Sequence, residues 1–113
     1  MPLADLDVGE REIVRSCLRA AVEGPFFPDW EFPTLFGLAR DEVKHILDSW
    51  PNLDERNESV VLAINNSFNN LLGYPHGLRD NWSEFIPVTA EELAAIFVKW
   101  RGAEIRGYFE GFM

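Results

Sequence analysis

Two ten-residue stretches, fifty residues apart, carry the same apolar spacing and limit the fold more than any other feature of this chain. Asp41-Glu-Val-Lys-His-Ile-Leu-Asp-Ser-Trp50 sets Val43, Ile46, Leu47 and Trp50 at i, i+3, i+4 and i+7. Glu91-Glu-Leu-Ala-Ala-Ile-Phe-Val-Lys-Trp100 does the same with Leu93, Ile96, Phe97 and Trp100. An α-helix turns once in about 3.6 residues, so each set falls on one face, and that face must be buried. The tryptophan closing each stripe is expected to anchor a core.

The segments before these stretches also read as helices. One runs from Val8 to Glu23, with Ile13, Val14, Cys17, Leu18, Ala21 and Val22 on its apolar stripe. Gly24 is expected to supply a left-handed cap, and Pro25 cannot continue the helix. The other runs from Asp54 to Leu72, buries Val60, Val61, Ile64, Phe68, Leu71 and Leu72, and stops at Gly73. Its first turn holds Asp54, Glu55 and Glu58, which suits the positive end of the helix dipole. The repeated stretches themselves predict helices over Arg40–Trp50 and from Thr89 to Arg101. Thr89 with Glu92 is a capping box, in which hydroxyl and carboxylate each take a backbone amide of the other residue.

Two connections rich in aromatic residues and proline separate the helices of each pair. Pro25-Phe-Phe-Pro-Asp-Trp-Glu-Phe-Pro33 holds three prolines, which exclude a regular helix and disfavour a central strand. Its aromatics should lie over the core as a lid, with a short helical turn at Thr34–Leu38. A second aromatic connection spans Trp82–Pro87. The fold class expected is all-α: one small four-helix domain over residues 1–113, in two helix–loop–helix halves, 8–50 and 54–101. The halves are either a duplication about a pseudo-two-fold axis or a coincidence of short amphipathic patterns. The tail from Ala103 to Met113, with Ile105, Tyr108, Phe109 and Phe112, is expected to dock on the domain.

Composition agrees with a folded core, since 47% of 113 residues are apolar and 13% aromatic, far from the signature of disorder. The formal charge is −9. Phosphate backbones and anionic lipid repel such a surface, so no nucleic-acid or membrane partner is expected, and a basic protein is the favoured one. Solubility alone also accounts for a negative charge. Cys17, the single cysteine, falls on an apolar stripe and reads as a buried thiol, which excludes an intramolecular disulfide and a cysteine-based zinc site. MPLADLDVGERE lacks the basic and apolar regions of a signal peptide, and no apolar run reaches membrane-spanning length, so a cytoplasmic location is expected. Oligomeric state is left open.

No catalytic motif stands out, and neither a metal nor a cofactor is expected. His45 lies four residues after Asp41, a spacing that suits a surface ion pair, and no third metal ligand is evident. Arg11, Arg15 and Arg19 form a stripe expected to answer acids within the domain. Asn65-Asn-Ser-Phe-Asn-Asn70 opposes helix propensity, because asparagine competes for its own backbone. Its amides either satisfy carbonyls opened by the proline-rich connections or, through Asn66 and Asn70, recognise a partner's backbone. Asp41, Glu42, Asp48, Asp54, Glu55 and Glu58 gather at the corner between the halves and are the first choice for contacting a basic partner.

In size, acidity and lack of catalytic motifs the chain resembles the small single-domain immunity proteins that protect bacteria from secreted toxins. The resemblance implies a protein-binding module that blocks a basic toxin domain by shape and charge. The alternative is a helical ligand-binding or regulatory domain with a pocket beneath the aromatic connections, near Trp30, Phe32, Tyr74, His76 and Trp82. An enzyme using His76 and nearby acids is the weakest reading.

Overall fold

A computed structural model describes residues 3–74, 77 and 79–101. These form six α-helices: α1 (Val8–Glu23), α2 (Phe32–Phe36), α3 (Arg40–Asp48), α4 (Glu58–Gly73), α5 (Arg79–Phe85) and α6 (Ala90–Arg101). A 3-10 turn at Leu3–Asp5 precedes them, and no strand occurs among the described residues. The fold is all-α. Four long helices take the places expected, and α2 and α5 are short helices inside the aromatic connections. The tail and His76 lie outside the described residues.

Helix starts follow side-chain capping. Asp7 Oδ1 accepts from the Glu10 amide at 2.8 Å, and Glu10 Oε1 accepts from the Asp7 amide at 3.0 Å. The same reciprocal pair forms at α6, where Thr89 Oγ1 accepts from the Glu92 amide at 3.1 Å. Glu42 returns to the Ala39 amide at the start of α3. The third long helix begins at Glu58, not at Asp54, because Asn57 Oδ1 accepts from the Ser59 amide and caps it. Asp54 instead accepts from the Arg56 amide and holds a turn. Gly24 has φ −79°, so it is not a left-handed cap. Glycine is required there by close approach: a Cβ would sit 2.5 Å from the Ala20 carbonyl oxygen.

The core is aromatic. Trp100, Phe26, Phe32, Phe36, Phe68 and Phe97 are all fully buried, each contributing about 2–3 kcal/mol of gross burial free energy. Phe68 of α4 stacks on Phe97 of α6 with centroids 4.9 Å apart, joining two helices directly. Phe26, Phe27 and Phe32 close over the core as the lid reading expects, but Trp30 between them is 78% exposed. The two helix-closing tryptophans also differ. Trp100 is buried, whereas α3 ends at Asp48 and leaves Trp50 partly exposed in the following turn.

Burial recurs at an offset of fifty residues. Ile13, Val14, Cys17, Leu18, Ala20 and Ala21 are the buried positions of α1; Ala63, Ile64, Ser67, Phe68, Asn70 and Leu71 are buried in α4, together with Val60. Val43 and Ile46 of α3 answer to Leu93 and Ile96 of α6. Helix contacts follow the same rule. α1 packs on α4 at the centre; α1 also packs on α3, and α4 on α6; α2 lies against α4, and α5 against α1. Exchanging the halves leaves this pattern unchanged. In addition, α3 touches α4, and the 3-10 turn lies against α6.

Candidate functional site

A cleft of about 750 Å³ opens between the C-terminal end of α4, helix α5 and the first turn of α6. Leu71, Leu72 and Tyr74 form one wall, Trp82 another, and Thr89, Ala90 and Glu91 the floor at the start of α6. Gly77 and Asp80 complete the rim. Trp82 is held in place by its indole Nε1, which donates to the Val88 carbonyl at 2.8 Å, and by an edge-on contact with buried Phe26. Tyr74 donates its hydroxyl to the Glu31 carboxylate, and that bond holds the phenol above its ordinary pKa. Asp80 and Glu91 are exposed, and neither forms an ion pair with a cation among the described residues.

The expected pocket residues divide between two places. Tyr74 and Trp82 line the cleft. Phe32 is buried in the other half, stacked on Phe36 at 4.2 Å and covered by the Arg40 guanidinium, so it cannot meet a ligand there. Trp30 is on the surface outside the cleft. Sequence reasoning did not single out Asp80, Ala90 or Glu91. Nothing in their residue types marks a site.

The acidic corner is mostly committed to the fold itself. Glu55 Oε1 accepts from the Leu3 amide at 2.7 Å, and its Oε2 accepts from Trp100 Nε1 at 2.9 Å, so this carboxylate is structural. Glu42 caps α3. Asp48 pairs with Lys44 at 2.7 Å and Asp54 with Arg56 at 3.1 Å. The Arg56 hydrogen bond holds the Asp54 carboxyl below its ordinary pKa. Asp41 and Glu58 remain as exposed acids without an ion pair among the described residues. His45 is exposed and makes no ion pair with Asp41. Arg15 and Arg19 do answer acids of their own helix, Glu12 and Glu23.

Asn66 and Asn70 turn inward, which corrects their assignment to a partner. Asn66 Nδ2 donates to the Phe36 carbonyl at 2.8 Å, and Asn70 Nδ2 donates to the Leu35 carbonyl at 2.9 Å. Both carbonyls sit at the end of α2, which is too short to satisfy them itself. The amides therefore fasten α2 to α4.

Among the described residues no three His, Cys, Asp or Glu side chains converge as a metal site. No helix there is long and apolar enough to cross a membrane. Compared with known proteins, the chain matches no family model, no curated protein and no solved structure.

Proposed function

We propose that this domain is a binding module for a basic protein partner, engaged at the cleft between α4, α5 and α6. The observation that carries the reading is the pair of exposed carboxylates, Asp80 and Glu91, without an ion pair among the described residues and beside the aromatic wall of Trp82. A net charge of −9 steers a basic surface toward it. Blocking a toxin, as the likeness to immunity proteins implies, is one form such binding takes. The acidic corner is a poorer candidate, because Glu42, Glu55, Asp48 and Asp54 already have partners.

Titration with arginine- and lysine-rich peptides across a salt series tests the proposal. Binding should weaken steadily as ionic strength screens the carboxylates, and reversing charge in Asp80→Lys/Glu91→Lys should abolish it. Reversal at Asp48 and Asp54 should have the smaller effect; the opposite ranking would return the interface to the corner. A second reading, a small-ligand pocket, draws on Tyr74 and Trp82 in the same cleft. A ligand of that kind would raise the melting temperature at constant salt.

A further inference from the structure

Of the four tryptophans, Trp30 has no place in the core. Trp100 is buried, Trp50 and Trp82 pack against the buried cluster, and Trp30 is 78% exposed. The indoles of Trp82 and Trp100 donate to the Val88 carbonyl and to Glu55, whereas Trp30 makes neither a hydrogen bond nor a ring contact among the described residues. A leucine left on a surface is ordinary. Tryptophan is highly buried on average, and an indole in water forgoes about 200 Å² of burial.

The exposure is built into the loop. The Pro28 carbonyl accepts from the Glu31 and Phe32 amides, both at 3.1 Å, which closes a turn with Asp29 and Trp30 at its central positions. The residues around Trp30 are each fastened. Phe27 and Phe32 are buried to either side of it, and Asp29 Oδ1 pairs with Arg40 Nη2 at 3.0 Å. The Glu31 carboxylate accepts the Tyr74 hydroxyl. With the turn fixed on both sides, a partner meets the indole without the cost of ordering a loop.

The same turn shows which group such a place suits. The Arg40 guanidinium lies 4.4 Å from the centroid of the Phe32 ring while it pairs with Asp29. Trp30 offers a more favourable ring for a cation than phenylalanine does. Asp29 is 95% exposed on its side chain, and its Oδ2 has no partner among the described residues. A planar guanidinium can stack on the indole and bond a carboxylate at once, which an ammonium does less well. The turn is also tied to the cleft, because Tyr74 forms part of the cleft wall. A basic surface seated there reaches Trp30 across Tyr74 and Glu31.

We infer that Trp30 is the anchoring contact for an arginine of the partner protein, its ring stacking on the guanidinium and Asp29 supplying the charge. The inference rests on the basic-partner reading and adds a contact point outside the cleft.

The test is an NMR titration of the full chain with a blocked nine-residue peptide of alternating arginine and glycine, following the tryptophan indole protons. Its citrulline and lysine analogues serve as comparisons, and Trp30→Phe assigns the Trp30 signal by removing it. The arginine peptide should shift the Trp30 indole, the lysine peptide should shift it less, and the citrulline peptide should bind roughly tenfold more weakly. Trp30→Ala should keep the parent melting temperature and bind the arginine peptide roughly fivefold more weakly. Should Trp30→Ala fail to fold, Asp29→Asn carries the same test, with weaker arginine binding expected. Equal binding of the arginine and citrulline peptides would overturn the inference. Self-association of the free chain that Trp30→Ala abolishes would also overturn it, because the indole would then serve a second copy. A Trp30 indole that stays unmoved while Asp80→Lys/Glu91→Lys abolishes binding would sink the Trp30 contact and leave a basic partner at the cleft. No cationic peptide binding at any salt would sink both.

Discussion

Glu55 and Trp100 are joined across the domain by a hydrogen bond of 2.9 Å from the indole Nε1 to Oε2. The other oxygen of the same carboxylate takes the Leu3 amide, so one side chain ties the turn before α4 to both ends of the described chain. Glu55→Ala leaves a buried indole N–H without its acceptor and should cost about 1–3 kcal/mol, read as a lower urea midpoint. Glu55→Gln keeps one acceptor and should lose less. If Glu55 were instead an interface residue, Glu55→Ala would leave the midpoint unchanged and weaken binding alone.

Neighbouring asparagines of α4 should respond in opposite directions. Asn70 is buried and its amide serves the Leu35 carbonyl, so Asn70→Ala should destabilise by about 1–3 kcal/mol. Asn69 is exposed, and asparagine is a poorer helix former than alanine, so Asn69→Ala should be neutral or raise stability by a few tenths of a kcal/mol, about 0.5 at most. Chemical denaturation of both variants separates the two roles.

The long helices were legible because their signals are local and strong. Val8–Glu23 and the Thr89–Arg101 helix carry four-turn or three-turn apolar stripes bounded by caps or glycine, and the structure places them at those bounds. The short ones were hidden. Pro33 lies in the first turn of α2, where a missing N–H costs nothing, so a proline counted against a helix in fact begins one. In α5, Trp82 and Phe85 make a pattern too brief to distinguish two turns of helix from a loop. The destination of the acids was not legible either, because only the tertiary fold brings Glu55 beneath Trp100. The cleft was the hardest to read, since only the tertiary fold brings Leu71, Trp82 and Ala90 together.

Arg40 should matter to stability through its carbonyls and its ring contact more than through its ion pair. Asp29 is 95% exposed on its side chain, so Asp29→Asn should change stability by no more than about 0.5 kcal/mol. Arg40→Ala strips three carbonyls of their donor and uncovers Phe32, and should cost about 3 kcal/mol. Arg40→Lys should recover less than half of that, because an ammonium cannot fork across the three oxygens. Thermal melts of the three variants give the ranking.

Cys17 provides the last prediction, and its sign follows from burial. Desolvation among apolar neighbours pushes the thiol far above the ordinary 9.0, so the folded chain keeps it protonated where the unfolded chain ionises it. A group whose folded pKa is raised contributes its full stability below the unfolded pKa and loses it as pH climbs past that point. Between pH 8.0 and 9.5 the native state should therefore lose about 0.8 kcal/mol. The Tyr74 hydroxyl and the amines of Lys44 and Lys99 have ordinary values of 10.0 or above and are raised further, so they add little in that window. Urea midpoints at the two pH values should differ in the parent chain and nearly coincide in Cys17→Ala. The native thiol should also resist a disulfide reagent until the chain unfolds; prompt labelling of the folded protein would place Cys17 outside the core.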